Sequence, residues 1–120
     1  MLMKPFTLAV GGYCTGVYLN VVSGTGRASA AIYTTSTPSA IISRTLFYPV
    51  SAGWNLIPFY SAALPAAQYQ FSVLTSPGVN VSAFAINGDS YWPDHYGQFL
   101  NNVYPIAANQ TFSIYGQFCH

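Results

Sequence analysis

Side-chain polarity alternates with a period of two along most of this 120-residue chain, and clusters of Gly, Pro, Ser and Thr interrupt it every 8–15 residues. In segment 68–75, for example, Tyr69, Phe71 and Val73 alternate with polar residues. Such alternation is typical of strands with one buried face, and the clusters are typical of antiparallel turns. No segment keeps the helical period over four turns. The pattern therefore predicts an all-β fold, an antiparallel β-sandwich of about eight strands without substantial helix.

The length fits one domain over residues 1–120, because domains of roughly 100–150 residues can bury a core of their own. Residues 1–5 are predicted to be an N-terminal extension and residues 87–105 a long, aromatic-rich loop. Pro58 restricts its strand to an edge or bulge position, because proline cannot donate a ladder hydrogen bond. The predicted strands are 13–22, 27–33, 40–48, 54–60, 68–75, 79–86 and 111–118.

Charged residues make up only 4% of the chain, against about a quarter in an ordinary domain. The chain has no Glu, and its charged residues are Lys4, Arg27, Arg44, Asp89 and Asp94. A net charge of +1 offers no basic stripe for phosphates, which argues against a nucleic-acid partner. So few acid–base groups also argue against an enzyme. The sequence predicts no catalytic residues, no cofactor and no metal site.

No transmembrane or signal segment is predicted. The apolar stretch after Lys4 is interrupted by Pro5 and by glycines, and no cleavage site follows it. No run approaches the 18 apolar residues that a membrane-spanning helix needs, so we expect no membrane insertion.

The two cysteines, Cys14 and Cys119, lie near opposite ends of the chain. One interpretation is two free thiols. The other is a disulfide joining the first and last predicted strands, since the alternation places both cysteines on outward faces; closing so long a loop would stabilise the fold by about 4 kcal/mol. A zinc site that adds His95 and His120 lacks every standard ligand spacing.

Segment 87–97 concentrates the chain's polar chemistry among aromatic side chains. In one interpretation it binds a glycan, with aromatic faces against a sugar ring and polar groups on its hydroxyls. In a second, Asn87 and the two Asp residues hold Ca²⁺, which needs six to eight oxygen ligands. In a third, the segment caps the sandwich or contacts a neighbouring subunit. Trp54 is interpreted as a core or edge anchor. The candidate glycan-binding residues are Asp89, Tyr91, Trp92, Asp94, His95 and Tyr96.

Four segments together resemble one known family. They are 27–34, 38–43, 52–58 and 64–69, and the most specific piece is Gly53-Trp54-Asn55. This order is similar to that of the jelly-roll β-sandwich modules of microbial surface proteins and phage tail or fibre proteins. Gln68 and Gln70 depart from the Gly and Trp that these modules usually carry. The resemblance implies a jelly-roll-like fold and a non-catalytic surface role, and it implies no particular ligand.

Sparse charge and abundant aromatic residues favour extensive contacts between subunits, because interface cores are depleted of charge and enriched in Tyr and Trp. We therefore expect a non-enzymatic structural subunit of a virion or of an extracellular surface assembly, such as a capsid decoration, tail or spike component. Its partners would be its own copies or other subunits. A start at Met1 without an export signal favours the virion, if this chain is the complete gene product. The alternatives are a carbohydrate-binding module or lectin for cell-surface glycans, and a monomer with a surface of Ser, Thr, Asn and Gln that tolerates acid or heat.

Overall fold

The computed structural model describes residues 1–36, 38–84, 89–91, 99, 102–103, 106–107 and 110–119. These residues form strands and turns, and none of them lies in a helix. The strands are β1 (Leu2–Leu8), β2 (Gly12–Ser23), β3 (Gly26–Thr34), β4 (Ser39–Arg44), β5 (Tyr48–Val50), β6 (Gly53–Leu64), β7 (Ala67–Thr75), β8 (Asn80–Val81), β9 (Ala83–Phe84), β10 (Ser90–Tyr91), β11 (Asn102–Val103), β12 (Ile106–Ala107), β13 (Thr111–Phe112) and β14 (Ile114–Cys119).

The strands pair antiparallel in two main sheets. The large sheet has the order β11-β4-β3-β7-β1-β10-β12, with β5 beside β3. The small sheet has the order β14-β2-β6, with β8 also beside β2, and β13 pairs with β9 separately. The predicted antiparallel β-sandwich is confirmed. The first and last predicted strands, now β2 and β14, also pair as expected. The jelly-roll connectivity stays a prediction.

The main core lies between the two sheets. It takes Val17, Leu19 and Val21 from β2 and Phe71 and Val73 from β7, all of them buried. The ring of Phe6 in β1 stacks on Phe71, with 4.0 Å between centroids. Burying each such side chain contributes about 1.5–3 kcal/mol, which makes this core the main source of stability.

The large sheet is buried on its other face as well. Six consecutive residues are buried in both β3 and β7, at 28–33 and 69–74. Tyr33 on that second face packs against Phe99, which lies in the chain between β10 and β11, with 6.5 Å between ring centroids. Polar residues predicted to face outward, such as Gln70 and Ser72, are therefore buried. The Gln70 amide is satisfied because it donates to Ser39 Oγ at 3.0 Å.

The predicted N-terminal extension 1–5 is wrong. Residues 2–8 form β1, which pairs with β7 along its whole length and with β10 at Leu2 and Met3. Pro5 is tolerated because it lies beyond the two residues that pair with β10, where β1 has a described partner on one side only. The predicted loop 87–105 also contains two short strands, β10 and β11, which extend the large sheet on opposite sides.

A β-bulge reverses the predicted orientation of Cys14. Gln117 and Phe118 are consecutive in β14, but they pair with Gly16 and Cys14, so Thr15 is an extra residue in β2. An extra residue shifts the alternation by one, and Cys14 joins the core with 0% exposure. Its thiol is free and donates to the Gly16 carbonyl oxygen at 3.5 Å. The structure therefore does not support the predicted disulfide with Cys119, whose side chain lies outside the described residues.

Candidate functional site

The predicted glycan-binding segment falls largely outside the described residues. This holds for Trp92, Asp94, His95 and Tyr96, whose roles stay predictions. Tyr91 lies in β10, where its backbone pairs with Leu2 of β1 and Ile106 of β12, and its side chain is not described.

Asp89, the remaining candidate, serves as an internal anchor. It is only 5% exposed, and its Oδ2 accepts hydrogen bonds from Lys4 Nζ at 3.1 Å and from the backbone N–H of Phe112 at 2.7 Å. Its own N–H donates to the carbonyl oxygen of Gln110 at 3.1 Å. Asp89 thus joins β1 to the segment that leads into β13, and its carboxylate is not available to a ligand in this arrangement.

The most unusual exposed surface is the outer face of the small sheet. We call it the aromatic face and define it as Tyr18 on β2, Trp54 and Leu56 on β6, and Tyr115 and Gln117 on β14. Tyr115 pairs directly with Tyr18, which pairs directly with Leu56, so these three side chains form one row across the sheet. Trp54 is 55%, Tyr115 50% and Leu56 43% exposed. Large apolar side chains this exposed, side by side, are typical of contact surfaces.

The rings of the aromatic face pack against one another. Tyr18 and Tyr115 stack at 4.8 Å between centroids and 24° between planes. Trp54 meets Tyr115 in an edge-type contact at 5.3 Å and 63°. A stacked ring has one face covered by its neighbour and offers that face to no ligand. The three rings therefore form a preassembled apolar ridge.

Hydrogen bonds position Gln117 and Tyr18 in the aromatic face, and a glycine leaves room for Leu56. The Thr15 hydroxyl lies 3.2 Å from both the backbone and the side-chain oxygen of Gln117. The Gln117 amide donates a long bond of 3.5 Å to Tyr18 Oη. A Cβ at Gly16 would lie 2.6 Å from Leu56 Cδ1, so the glycine leaves the space that the Leu56 side chain occupies across β2.

No charged residue occurs in β2, β6, β8 or β14, the strands of the small sheet. Lys4, Arg27 and Arg44 all lie in strands of the large sheet. The aromatic face therefore offers neither a complementary charge to an ionic partner nor a charge that would repel a second copy of itself.

The motif Gly53-Trp54-Asn55 builds the edge of this surface. Gly53 adopts a φ of 105°, which favours glycine, and begins β6. The Asn55 amide donates to the carbonyl oxygens of Ser51 at 2.8 Å and Gly53 at 2.9 Å, and its oxygen accepts from the Ser51 N–H at 3.2 Å. The turn is thereby fixed and Trp54 is placed on the edge strand. Of the two positions expected for Trp54, core or edge, the structure shows the edge.

The aromatic face is not among the sites predicted from the sequence. The available signal was alternation: Trp54 and Leu56 lie in phase on β6, and Tyr18 lies out of phase with the buried residues of β2. Several large apolar side chains on the outward-facing positions of neighbouring strands indicate a contact surface that a partner covers.

The rest of the described chain offers little for chemistry. A cavity of about 260 Å³ opens beside Leu2, Val73, Asn80 and Phe112, and none of the described residues that line it has a charged side chain. Among the described residues, no three His, Cys, Asp or Glu side chains are grouped to hold a metal ion. That part of the chain also contains no helix long and apolar enough to cross a membrane.

Comparison with protein-family models, curated proteins and solved structures found no match for this chain. The resemblance to jelly-roll surface and tail modules stays a prediction.

Proposed function

We propose that this protein is a non-enzymatic structural subunit of a virion or of an extracellular surface assembly, and that its copies associate through the aromatic face. The observation that carries the proposal is an uncharged sheet face on which Trp54, Tyr115 and Leu56 are each about half exposed. Keeping such side chains in water is unfavourable by roughly 25 cal/mol for each Å² of apolar surface, and a partner that covers them removes this penalty.

A second copy is the occupant that the surface favours. Interface cores are depleted of charge and enriched in Tyr and Trp, which is the composition of the aromatic face. Two uncharged faces meet without the cost of desolvating ions, whereas a charged partner would lose its hydration and gain no counter-charge. Low overall charge adds to this, because it removes the repulsion that keeps monomers apart.

A carbohydrate ligand is the competing occupant, and the ring geometry disfavours it. Sugar recognition needs an aromatic ring with one flat side open, so that this side can stack on the C–H groups of the sugar ring. In the aromatic face Tyr18 and Tyr115 cover one face of each other, and Trp54 leans on Tyr115. A ridge of this shape suits packing into a groove of a partner better than stacking on a flat sugar.

The test is the oligomeric state of the purified chain between about 0.1 and 50 μM, measured by mass photometry and sedimentation velocity. We expect concentration-dependent oligomers, and we expect Tyr115→Lys to weaken them at least tenfold, because it buries a charge in the contact. Phe47→Lys is the matched control: Phe47 is 40% exposed in the segment that joins β4 to β5, two strands of the large sheet, so this variant should associate as the wild type does.

A wild-type chain that stays monomeric throughout this range would refute the proposal. A monomer that binds a neutral oligosaccharide on a glycan array, and loses that binding in Tyr115→Lys, would favour the carbohydrate-binding alternative. The setting of the assembly is tested separately by the neighbouring genes: capsid, terminase or tail genes would support a virion.

A further inference from the structure

We infer that β6 is a second contact surface, through which two copies pair edge to edge and join their small sheets. The inference rests on the proposed function, because it adds a second contact to an assembly formed by copies of the chain. A single two-fold contact produces only a dimer, whereas two different contacts on one chain allow an assembly to grow beyond it.

Strand β6 forms an unusually long edge of the small sheet. The described strand spans 12 residues and pairs with β2 on one side, and no other described strand pairs with it. Both ends of the large sheet are two-residue strands, β11 and β12. The longer strands nearest these ends extend past their short partners: β4 carries Arg44 there, and β1 carries Lys4 and Pro5. Charged residues and proline protect an edge from pairing. On β6, Pro58 is the one such residue.

The direction of the backbone groups on β6 follows from its packing on β2. A Cβ at Gly16 would lie 3.2 Å from the carbonyl oxygen of Ile57, so that oxygen points toward β2. Backbone groups alternate sides along a strand, and those of Trp54, Leu56 and Pro58 therefore point to the free edge. Pro58 fits this assignment, because its missing N–H costs the β2–β6 ladder nothing.

One antiparallel register uses these groups fully. With Asn55 on the two-fold axis, Trp54 lies opposite the partner's Leu56, and each residue both donates to and accepts from the other. Symmetry makes this four backbone hydrogen bonds, and Pro58 lies outside the bonded pairs. Trp54 also packs beside the partner's Leu56 on the outer face, which is a favourable cross-strand pair of an aromatic and an aliphatic side chain. The two aromatic faces then form one continuous surface.

The experiment separates the edge contact from the face contact. Tyr115 lies on β14, with β2 between it and β6, so the Tyr115→Lys variant should lose larger oligomers but keep the edge dimer. Adding Leu56→Pro removes two of the four hydrogen bonds and should raise the dimer Kd at least tenfold. Adding Leu56→Val keeps the N–H and all four backbone hydrogen bonds, and should therefore raise the dimer Kd much less than Leu56→Pro does. Sedimentation velocity measures all four proteins, and thermal melts establish that each one folds.

A cross-linking measurement fixes the register even if Leu56→Pro does not fold. In a Cys119→Ser background, Trp54→Cys and Leu56→Cys proteins are mixed and oxidised. The proposed register predicts a covalent heterodimer, whereas either protein alone should cross-link much less, because identical residues lie diagonally apart, beyond disulfide reach.

The outcomes distinguish the two proposals. A monomeric wild type overturns both of them. An oligomeric wild type with a monomeric Tyr115→Lys variant overturns the edge contact alone, as does a folded Leu56→Pro variant with an unchanged dimer Kd. Equal cross-linking in the mixed and separate samples also overturns the proposed register.

Discussion

The anchor formed by Lys4 and Asp89 should be a major determinant of stability, and three variants test this: Lys4→Met, Asp89→Asn and the double substitution. The Asp89 carboxylate is buried, whereas the Lys4 side chain is 25% exposed. Removing each partner therefore has a different consequence. Lys4→Met leaves a buried carboxylate that keeps only the Phe112 N–H, and Asp89→Asn leaves a lysine that can turn to water.

These differences set the expected magnitudes. Breaking a buried ion pair by deleting one partner costs about 3–5 kcal/mol, so Lys4→Met should lower the free energy of unfolding by about 3 kcal/mol. Asp89→Asn keeps the shape and an acceptor for the Phe112 N–H, and should cost about 1–2 kcal/mol. The double variant removes both charges and should cost much less than the sum, which gives a coupling energy of at least about 1 kcal/mol.

Urea unfolding followed by tryptophan fluorescence is the assay, since small proteins lose about 1–3 kcal/mol of stability per M urea. A loss of 3 kcal/mol should therefore move the midpoint by at least about 1 M. A Lys4→Met midpoint within about 0.2 M of wild type, together with no coupling in the double variant, would refute the anchor. If Asp89→Asn kept full stability but abolished binding of a glycan, the original interpretation of Asp89 as a ligand-binding residue would replace it.

Three further predictions concern the core and the turn before β6. Burial raises the pKa of Cys14 from 9.0 to about 11, so in a Cys119→Ser background the native thiol should resist a disulfide reagent at pH 8 and react only after unfolding. The folded state thus binds the thiol proton more tightly than the unfolded state does. This difference contributes up to about 3 kcal/mol to the free energy of unfolding; the contribution is complete below pH 9 and should be lost as the pH rises to 11. Cys14→Ala should flatten this part of a stability–pH curve. Asn55→Ala removes three hydrogen bonds and should lower stability by about 1–3 kcal/mol in the urea assay, and an unchanged midpoint would contradict the turn role. Gly116→Ala adds a Cβ against the Phe71 ring and 2.7 Å from Phe118 Cε2, and should lower the free energy of unfolding by about 1–3 kcal/mol. An unchanged urea midpoint would show that these rings repack freely and would contradict the prediction.

The period-two alternation was sufficient to predict the sandwich because strands such as β7 carry their apolar residues in a consistent phase. It did not reveal that β7 is buried on both faces. Gln70 and Ser72 are polar in sequence, and the Gln70 amide is satisfied by Ser39, which is 31 residues away in the chain. A polar side chain can be buried when it has a hydrogen-bond partner, and a partner this far away in the chain is not visible in the local alternation of residues.

Two other features escaped prediction for reasons of register and pairing. The orientation of Cys14 depends on a single extra residue, Thr15, and alternation read from the sequence has no means of counting a bulge. Strand β1 carries Pro5 and pairs with β7, whose paired residues are 59–71 positions away in the chain, so nothing in its own composition indicates a strand near the centre of a sheet.

The low charge of this chain has two structural origins, and they have different implications. The central strands β3 and β7 of the large sheet are buried on both faces and therefore need few charged residues, and this part of the low charge is explained within one molecule. In the part of the chain that the structure describes, the small sheet is covered on its inner face only, and its outer face carries Trp54, Tyr115 and Leu56 without any charged neighbour on its strands. An antiparallel sheet with one solvated face ordinarily carries polar and charged residues there. The aromatic face departs from this rule in a chain whose large sheet carries two exposed side chains, Arg27 and Arg44, so low charge across the whole protein does not account for it. A covering partner does, which is why association through the small sheet, rather than composition alone, is the property to measure first.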